Sequence, residues 1–194
     1  IIATPPDSHF KIATYFLKRG TPVLIEKPAC INYSQTKKLF DYASKYKSLI
    51  LINHIHLQSP AFKKLEQYLV NKKISKIYSY GYGLGPIRSY SALLDWSPHD
   101  FSMILSLIGI DRKLSIQDID LKKGSKNRAA WKIKLLSEKI KIKTHLGNYF
   151  KSKKRYLRII TEEDDKIVYD DSLAFKKKLK INKDYIKIKN ESPL

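Results

Sequence analysis

A chain of 194 residues with 43% hydrophobic and 29% charged side chains is one ordinary domain or two small ones, and its composition excludes a disordered or fibrous class. Its 38 Lys+Arg against 18 Asp+Glu give a net charge of +20, so nucleic acid, an anionic membrane and a phosphate-bearing ligand all have to be weighed as partners. The single cysteine, Cys30, excludes an internal disulfide framework and a multi-thiolate metal site, which favours a reducing, cytoplasmic setting.

The chain opens with Ile1-Ile2-Ala3, which reads as the end of a buried strand, and runs into Thr4-Pro5-Pro6. Without an initial methionine, the N-terminus is expected to be cut. Asp7 or Ser8 is expected to cap a first helix, whose Phe10, Ala13, Phe16 and Leu17 recur at helical spacing and which Gly20 stops. Val23-Leu24-Ile25 follows without polar alternation, as in a parallel strand covered on both faces. Ser34 is expected to cap a second helix carrying Leu39, Phe40, Ala43 and Tyr46, and Leu49 to Ile52 is another unbroken apolar run. Such alternation predicts an open parallel sheet that binds ligands beyond the carboxyl ends of its strands, here Thr4-Pro5-Pro6, Glu26-Lys27-Pro28 and Asn53-His54.

After residue 56 the period changes. Ser59-Pro60 starts a helix with Phe62, Leu65 and Leu69 on one face, and a strand runs from Ile74 to Tyr82. Ser97-Pro98 is expected to start a further helix that ends at Gly109. Beyond Leu114 come short alternating segments: Trp131 to Leu135, Ile140 to Leu146, Tyr156 to Ile160, Ile167 to Tyr169 and Tyr185 to Ile188. These predict antiparallel strands with one wet face. The fold class is therefore α/β: a partial doubly wound parallel sheet over residues 1–56, then an α+β domain over residues 57–194 on an open, mainly antiparallel sheet.

The charge excess has a solvation explanation. Residues 111–194 carry 24 basic and 12 acidic groups, so neither half of the chain monopolises it, and Lys139, Lys141 and Lys143 alternate with Ile140 and Ile142 on what reads as a solvated sheet face. Nucleic-acid binders concentrate arginine and exposed aromatics on one surface; the partner expected here is a small molecule, with no nucleic acid. No apolar run reaches the roughly 18 residues of a membrane span, so no membrane partner is expected. His54 and His56 at alternate positions, without a nearby carboxylate or thiolate in sequence, do not make a metal site.

Four segments taken together resemble the Gfo/Idh/MocA (glucose-fructose oxidoreductase and inositol dehydrogenase) family. They are Ala3-Thr4-Pro5-Pro6-Asp7-Ser8-His9; Glu26-Lys27-Pro28; Asn53-His54 with Ser59-Pro60-Ala61; and Gly85-Pro86-Ile87-Arg88 followed by Asp95-Trp96-Ser97-Pro98-His99-Asp100. The resemblance covers residues 1–109; beyond it only the meander pattern agrees, and Glu191 to Leu194 resembles the approach to a late helix. It implies an oxidoreductase using NAD or NADP, with Thr4, Pro5, Pro6, His9, Glu26, Lys27 and Pro28 on the cofactor side. Lys27, Asp95 and His99 are then the catalytic set, and His54, Arg88 and Trp96 the substrate contacts. It also implies a homo-oligomer built through the second sheet, with Trp131, Leu135 and Tyr156 as candidates for either face. The family's glycine-rich phosphate turn lies upstream of anything present, and Gly81-x-Gly83-x-Gly85 does not replace it, because it runs into Pro86 instead of opening a helix. The 194 residues alone are therefore expected to be inactive and to bind no dinucleotide tightly.

Oxidising a secondary alcohol needs a base for the hydroxyl proton and a donor for the developing alkoxide. His99 is the candidate base, Lys27 the donor, and Asp95 the residue that turns back from the loop before the Ser97-Pro98 helix to orient the imidazole. The reading is a dehydrogenase or reductase acting on a sugar, cyclitol or nucleotide-sugar. The alternatives are a family member using transient oxidation for glycosidic cleavage, and a non-enzymatic ligand-sensing or regulatory protein on the same fold.

Overall fold

The computed structural model describes residues 1–173 and 178–188; the expected approach to a late helix at residues 191–194 lies outside them. The chain divides into two compact units, Ile1–His54 and Ile55–Leu194.

In the first unit, α1 (Pro6–Leu17), β1 (Val23–Glu26), α2 (Tyr33–Lys45) and β2 (Ile50–Asn53) follow one another. β1 and β2 pair in parallel, Val23 opposite Ile50 through Glu26 opposite Asn53. Ile2 adds a parallel bridge to Ile25, its amide donating to Leu24 O and its carbonyl accepting from the Glu26 amide. Ala13 and Leu17 of α1, and Leu39 and Ala43 of α2, join Ile2, Val23, Ile25 and Cys30 in one core on one face of the strands; the expected cover on the second face is not seen among the described residues, where Leu24 is half-buried and Leu49 and Leu51 are exposed. Both helices start before the expected caps. Pro6 opens α1 after Pro5, leaving Asp7 in the first turn, where a carboxylate suits the positive end of the helix. In α2 the Asn32 side chain accepts from the Gln35 amide, so Asn32 is the cap and Ser34 lies inside the first turn. Cys30 is a buried apolar group, its thiol pKa pushed up by desolvation.

The second unit contains a 3-10 turn (Ile55–Gln58), α3 (Pro60–Leu69), β3 (Ile74–Tyr82), α4 (Ala92–Ile108), β4 (Ser115–Lys123), β5 (Ala129–Ser137), β6 (Ile140–Gly147), β7 (Lys154–Thr161), β8 (Lys166–Asp170), β9 (Lys178–Ile181) and β10 (Asp184–Ile186). The eight strands among its described residues form one sheet in the order β10-β9-β8-β7-β3-β6-β5-β4. The β3–β6 pair is parallel and every other pair antiparallel. One face is apolar: Ile77, Ile133, Leu135, Ile142, Leu157, Ile159, Ile167 and Tyr169 pack with Phe62 and Leu65 of α3 and Met103 and Ile104 of α4. The other face carries the lysines; Lys139, Lys141 and Lys143 are exposed and Ile140 and Ile142 buried, as the alternation predicts. On that open face Tyr156 lies 5.7 Å from Tyr80, whereas Leu135 is in the core and Trp131 packs against it.

The largest departure from the sequence reading is α4. It starts at Ala92, capped by the Ser91 side chain accepting from the Leu93 amide, and Pro98 sits inside it. Proline is usually read as a helix start because it lacks an amide and crowds the preceding turn. Here the Asp95 amide already donates to Ser91 O, so the helix exists before Pro98 is reached. Asp95 is consequently on the helix, not in a loop before it. His99 is well past the first turn, out of reach of the helix N-terminal charge that falls off within about one turn.

Candidate functional site

The carboxyl ends of parallel strands project the same way, so the loops after Ile2, β1 and β2 leave one edge of the first unit. Thr4 and Pro5 are exposed there, Pro6, Glu26, Lys27 and His54 are half-buried, and Pro28, which follows a cis peptide bond, is buried. His9 is not a solvated residue. It is wholly buried, with Nδ1 3.1 Å from Pro28 O and Nε2 2.7 Å from Thr4 O. The imidazole thus stands between the Thr4-Pro5-Pro6 loop and the Glu26-Lys27-Pro28 loop, and the ring nitrogen that carries the hydrogen donates to the carbonyl it faces. A second tie runs from Asn53 Nδ2 to Glu26 Oε1 at 2.5 Å, joining the ends of β1 and β2. These bonds set the shape of the edge on which Lys27 stands.

In the second unit α4 presents Asp95 and His99, four residues apart and hence neighbours on one helix face. Both are buried, at 8% and 9% exposure. Arg88, from the loop before α4, places Nε 3.8 Å from Asp95 Oδ2, so it is an ion-pair partner of the candidate orienting carboxylate. The His99 ring meets the His56 ring edge to face, centroids 4.6 Å apart at 89°, and His56 Nδ1 lies 2.8 Å from Asp171 Oδ2. His56 belongs to the second unit, whereas His54 ends the first.

Beneath this cluster lies a buried ion pair that sequence reasoning missed. Asp100 is wholly buried; its carboxylate takes hydrogen bonds from Arg155 Nη1 and Ser79 Oγ. Burial pushes the Asp100 pKa up, against the lowering effect of the Arg155 guanidinium and the Ser79 hydroxyl. Gly81 is paired directly with Arg155 across β3 and β7, and a Cβ at Gly81 would overlap the Asp100 carboxylate. Gly83 and Gly85 lie against the Trp96 ring, where an added Cβ would come within 3.1 and 3.0 Å of ring carbons. The Arg155 guanidinium stands 5.5 Å from the centre of the same ring. The glycine-rich loop therefore makes room for the side chains of α4 and their partner Arg155. A signal was present in the sequence: Arg155, Leu157, Ile159 and Thr161 alternate on the inward face, and a cation in such a row requires a buried partner.

A sequence model of an oxidoreductase family with an NAD-binding Rossmann fold, Gfo/Idh/MocA, matches residues 1–54. The rhizopine catabolism protein MocA of Rhizobium meliloti is 25% identical over 118 residues, 56% of this chain and 37% of that protein. A UDP-N-acetylglucosamine 3-dehydrogenase of Acidithiobacillus ferrooxidans is 27% identical over 114 residues, 57% of this chain and 36% of that protein. The chain thus matches little more than a third of the length of these curated relatives. Among solved structures, the UDP-N-acetylglucosamine 3-dehydrogenase GnnA of A. ferrooxidans superposes with a TM-score of 0.80 at 19% identity, over 98% of this chain and 64% of that one. The 3-ketoreductase KijD10 of Actinomadura kijaniata, solved in complex with NADP, superposes at 0.76 and 16% identity, over 94% of this chain and 59% of that one. At these identities the two structures establish the fold: a parallel Rossmann-type sheet joined to a large, mainly antiparallel one.

Proposed function

Residues 1–54 belong to the Gfo/Idh/MocA family of NAD-binding Rossmann-fold oxidoreductases, and from that premise we propose that this chain serves an NAD(P)-dependent oxidation or reduction at a secondary alcohol or ketone of a sugar or nucleotide-sugar. The observation that carries the reading is the buried Asp95–His99 pair, one turn apart on α4. The substrate class is supported by the UDP-N-acetylglucosamine 3-dehydrogenase relative and by a net charge of +20, which draws phosphate-bearing ligands.

The residues of the first unit fit one part of a dinucleotide. Thr4, Pro5 and Lys27 stand on the carboxyl edge of parallel strands, where open α/β sheets bind nucleotides. Gly20, the one glycine in residues 1–54, follows α1 instead of preceding it, so these residues supply the nicotinamide side and not a pyrophosphate turn. When bound, the dinucleotide supplies the carbon that gives or takes the hydride.

His99 takes the hydroxyl proton of the alcohol, and Asp95, one turn back, fixes the ring orientation. Arg88 pairs with Asp95 from the loop before α4. For Lys27, the family resemblance is what supports a role as hydrogen-bond donor to a developing alkoxide. The test is His99→Ala in the holoenzyme, read by single-turnover hydride transfer. Loss of a positioned base lowers the step by roughly 10² to 10⁴ fold while cofactor affinity stays unchanged. If Asp95 and His99 merely steady α4, the variant instead loses about 1 kcal/mol of stability and keeps its turnover, which would refute the assignment.

A further inference from the structure

We propose that Asp171 and His56 form a positioning pair that holds the His99 imidazole in the plane in which it takes up a proton; the inference rests on the reading of His99 as the base. Asp171 follows β8, and its amide donates to Arg155 O at 2.8 Å, which pins it against β7. Its side chain is 6% exposed and that of His56 12%. A carboxylate oxygen only accepts, so at 2.8 Å the Nδ1 of His56 carries the hydrogen, which fixes both the tautomer and the tilt of the ring. The 3-10 turn that presents His56 is closed by the Ser59 amide on His56 O.

That fixed ring stands at 89° to His99. The terminal torsion of a histidine is broad and two-fold when nothing constrains it. An edge-to-face neighbour makes the contact favourable in one orientation and obstructs rotation away from it. His99 is thereby braced on the His56 side by a ring that cannot itself turn without breaking its bond to a buried carboxylate. The chain of contacts joins β8, the 3-10 turn and α4, three elements far apart in sequence, and ends on the residue that carries the proposed chemistry. A structural tie of the turn to β8 would need Asp171 and His56; it would not need the second ring against His99.

The experiment compares Asp171→Ala, Asp171→Asn and His56→Leu in the holoenzyme, with kinetics and with ¹⁵N-resolved NMR of the histidine rings. Displacement of a reacting group by about 1 Å costs up to about 100-fold, so Asp171→Ala is expected to lower kcat by roughly 10- to 100-fold with KM unchanged. The Nδ1–H signal of His56 disappears and the ring resonances of His99 shift. Asp171→Asn, which keeps an acceptor oxygen, retains more of the rate than the alanine variant. If Asp171→Ala does not fold, His56→Leu, which fills the space without a ring edge, is expected to show the same kcat loss. Unchanged kcat in either folded variant, or unmoved His99 resonances, overturns the positioning role while leaving the base assignment intact. Unaltered turnover in His99→Ala overturns the base assignment, and the positioning role with it.

Discussion

Arg155→Met tests the foundation on which α4 rests. The substitution keeps the aliphatic stem and removes the guanidinium from a carboxylate that is wholly buried. Asp100 is then left with the Ser79 hydroxyl as its described donor. Stranding one member of a buried ion pair costs about 3–5 kcal/mol, and losing the cation over the Trp96 ring adds roughly 0.5–1 kcal/mol. With both partners almost fully enclosed, the side chains being 6% and 1% exposed, little of this is screened by water. A loss of about 4 kcal/mol corresponds to a fall in Tm of roughly 8–16 °C for a domain of this size. The pH dependence has a defined sign. Removing the cation raises the already elevated Asp100 pKa further, so the folded variant favours the protonated carboxyl. Its deficit is therefore large at neutral pH and shrinks as pH falls toward the unfolded value near 4. Asp100→Asn added to Arg155→Met removes the stranded charge and restores most of the stability. Calorimetry across pH decides: a deficit below about 1 kcal/mol at pH 7, or one that does not change with pH, refutes the argument.

Two further expectations concern other parts of the second unit. Asp165 accepts from Asn182 Nδ2, Lys72 Nζ and Tyr68 Oη, which lowers its pKa to about 2. A depressed carboxylate contributes stability that is present above its unfolded value and lost as pH falls through the folded one; Asp165→Asn should remove that part of the acid transition between about pH 4 and 2, and an unchanged acid melting profile would count against it. Self-association through the open sheet face is expected from the family resemblance, with the ring pair Tyr80 and Tyr156 at its centre and exposed Lys141 and Lys143 opposing it. Light scattering of the holoenzyme should show association strengthening with salt and weakening in Tyr80→Glu, and a monomer at high salt would refute it.

What the sequence determined by itself was local and periodic. Continuous apolar runs at Val23–Ile25 and Leu49–Ile52 marked strands, though not their expected two-sided cover, since Leu49 and Leu51 are exposed; alternation from Trp131 to Tyr169 required a sheet with one wet face, because side-chain direction follows from backbone period alone. Resemblance to a known family brought Lys27, Asp95 and His99 forward as candidates, since residue type and order need no coordinates. Apart from α4, helix starts were legible to within about three residues, as competing Asn, Asp and Ser side chains differ by little energy. Tertiary structure alone decided the rest. It carried α4 through Pro98, where a hydrogen bond already made at Asp95 outweighed a local signal to start. It paired β3 with β6 in parallel and β7 antiparallel, a choice between distant strands that period cannot make. It also joined Asp100 to Arg155, 55 residues away, and His56 to Asp171, because only burial makes such charges need each other and only the assembled sheet determines which residues share the buried side.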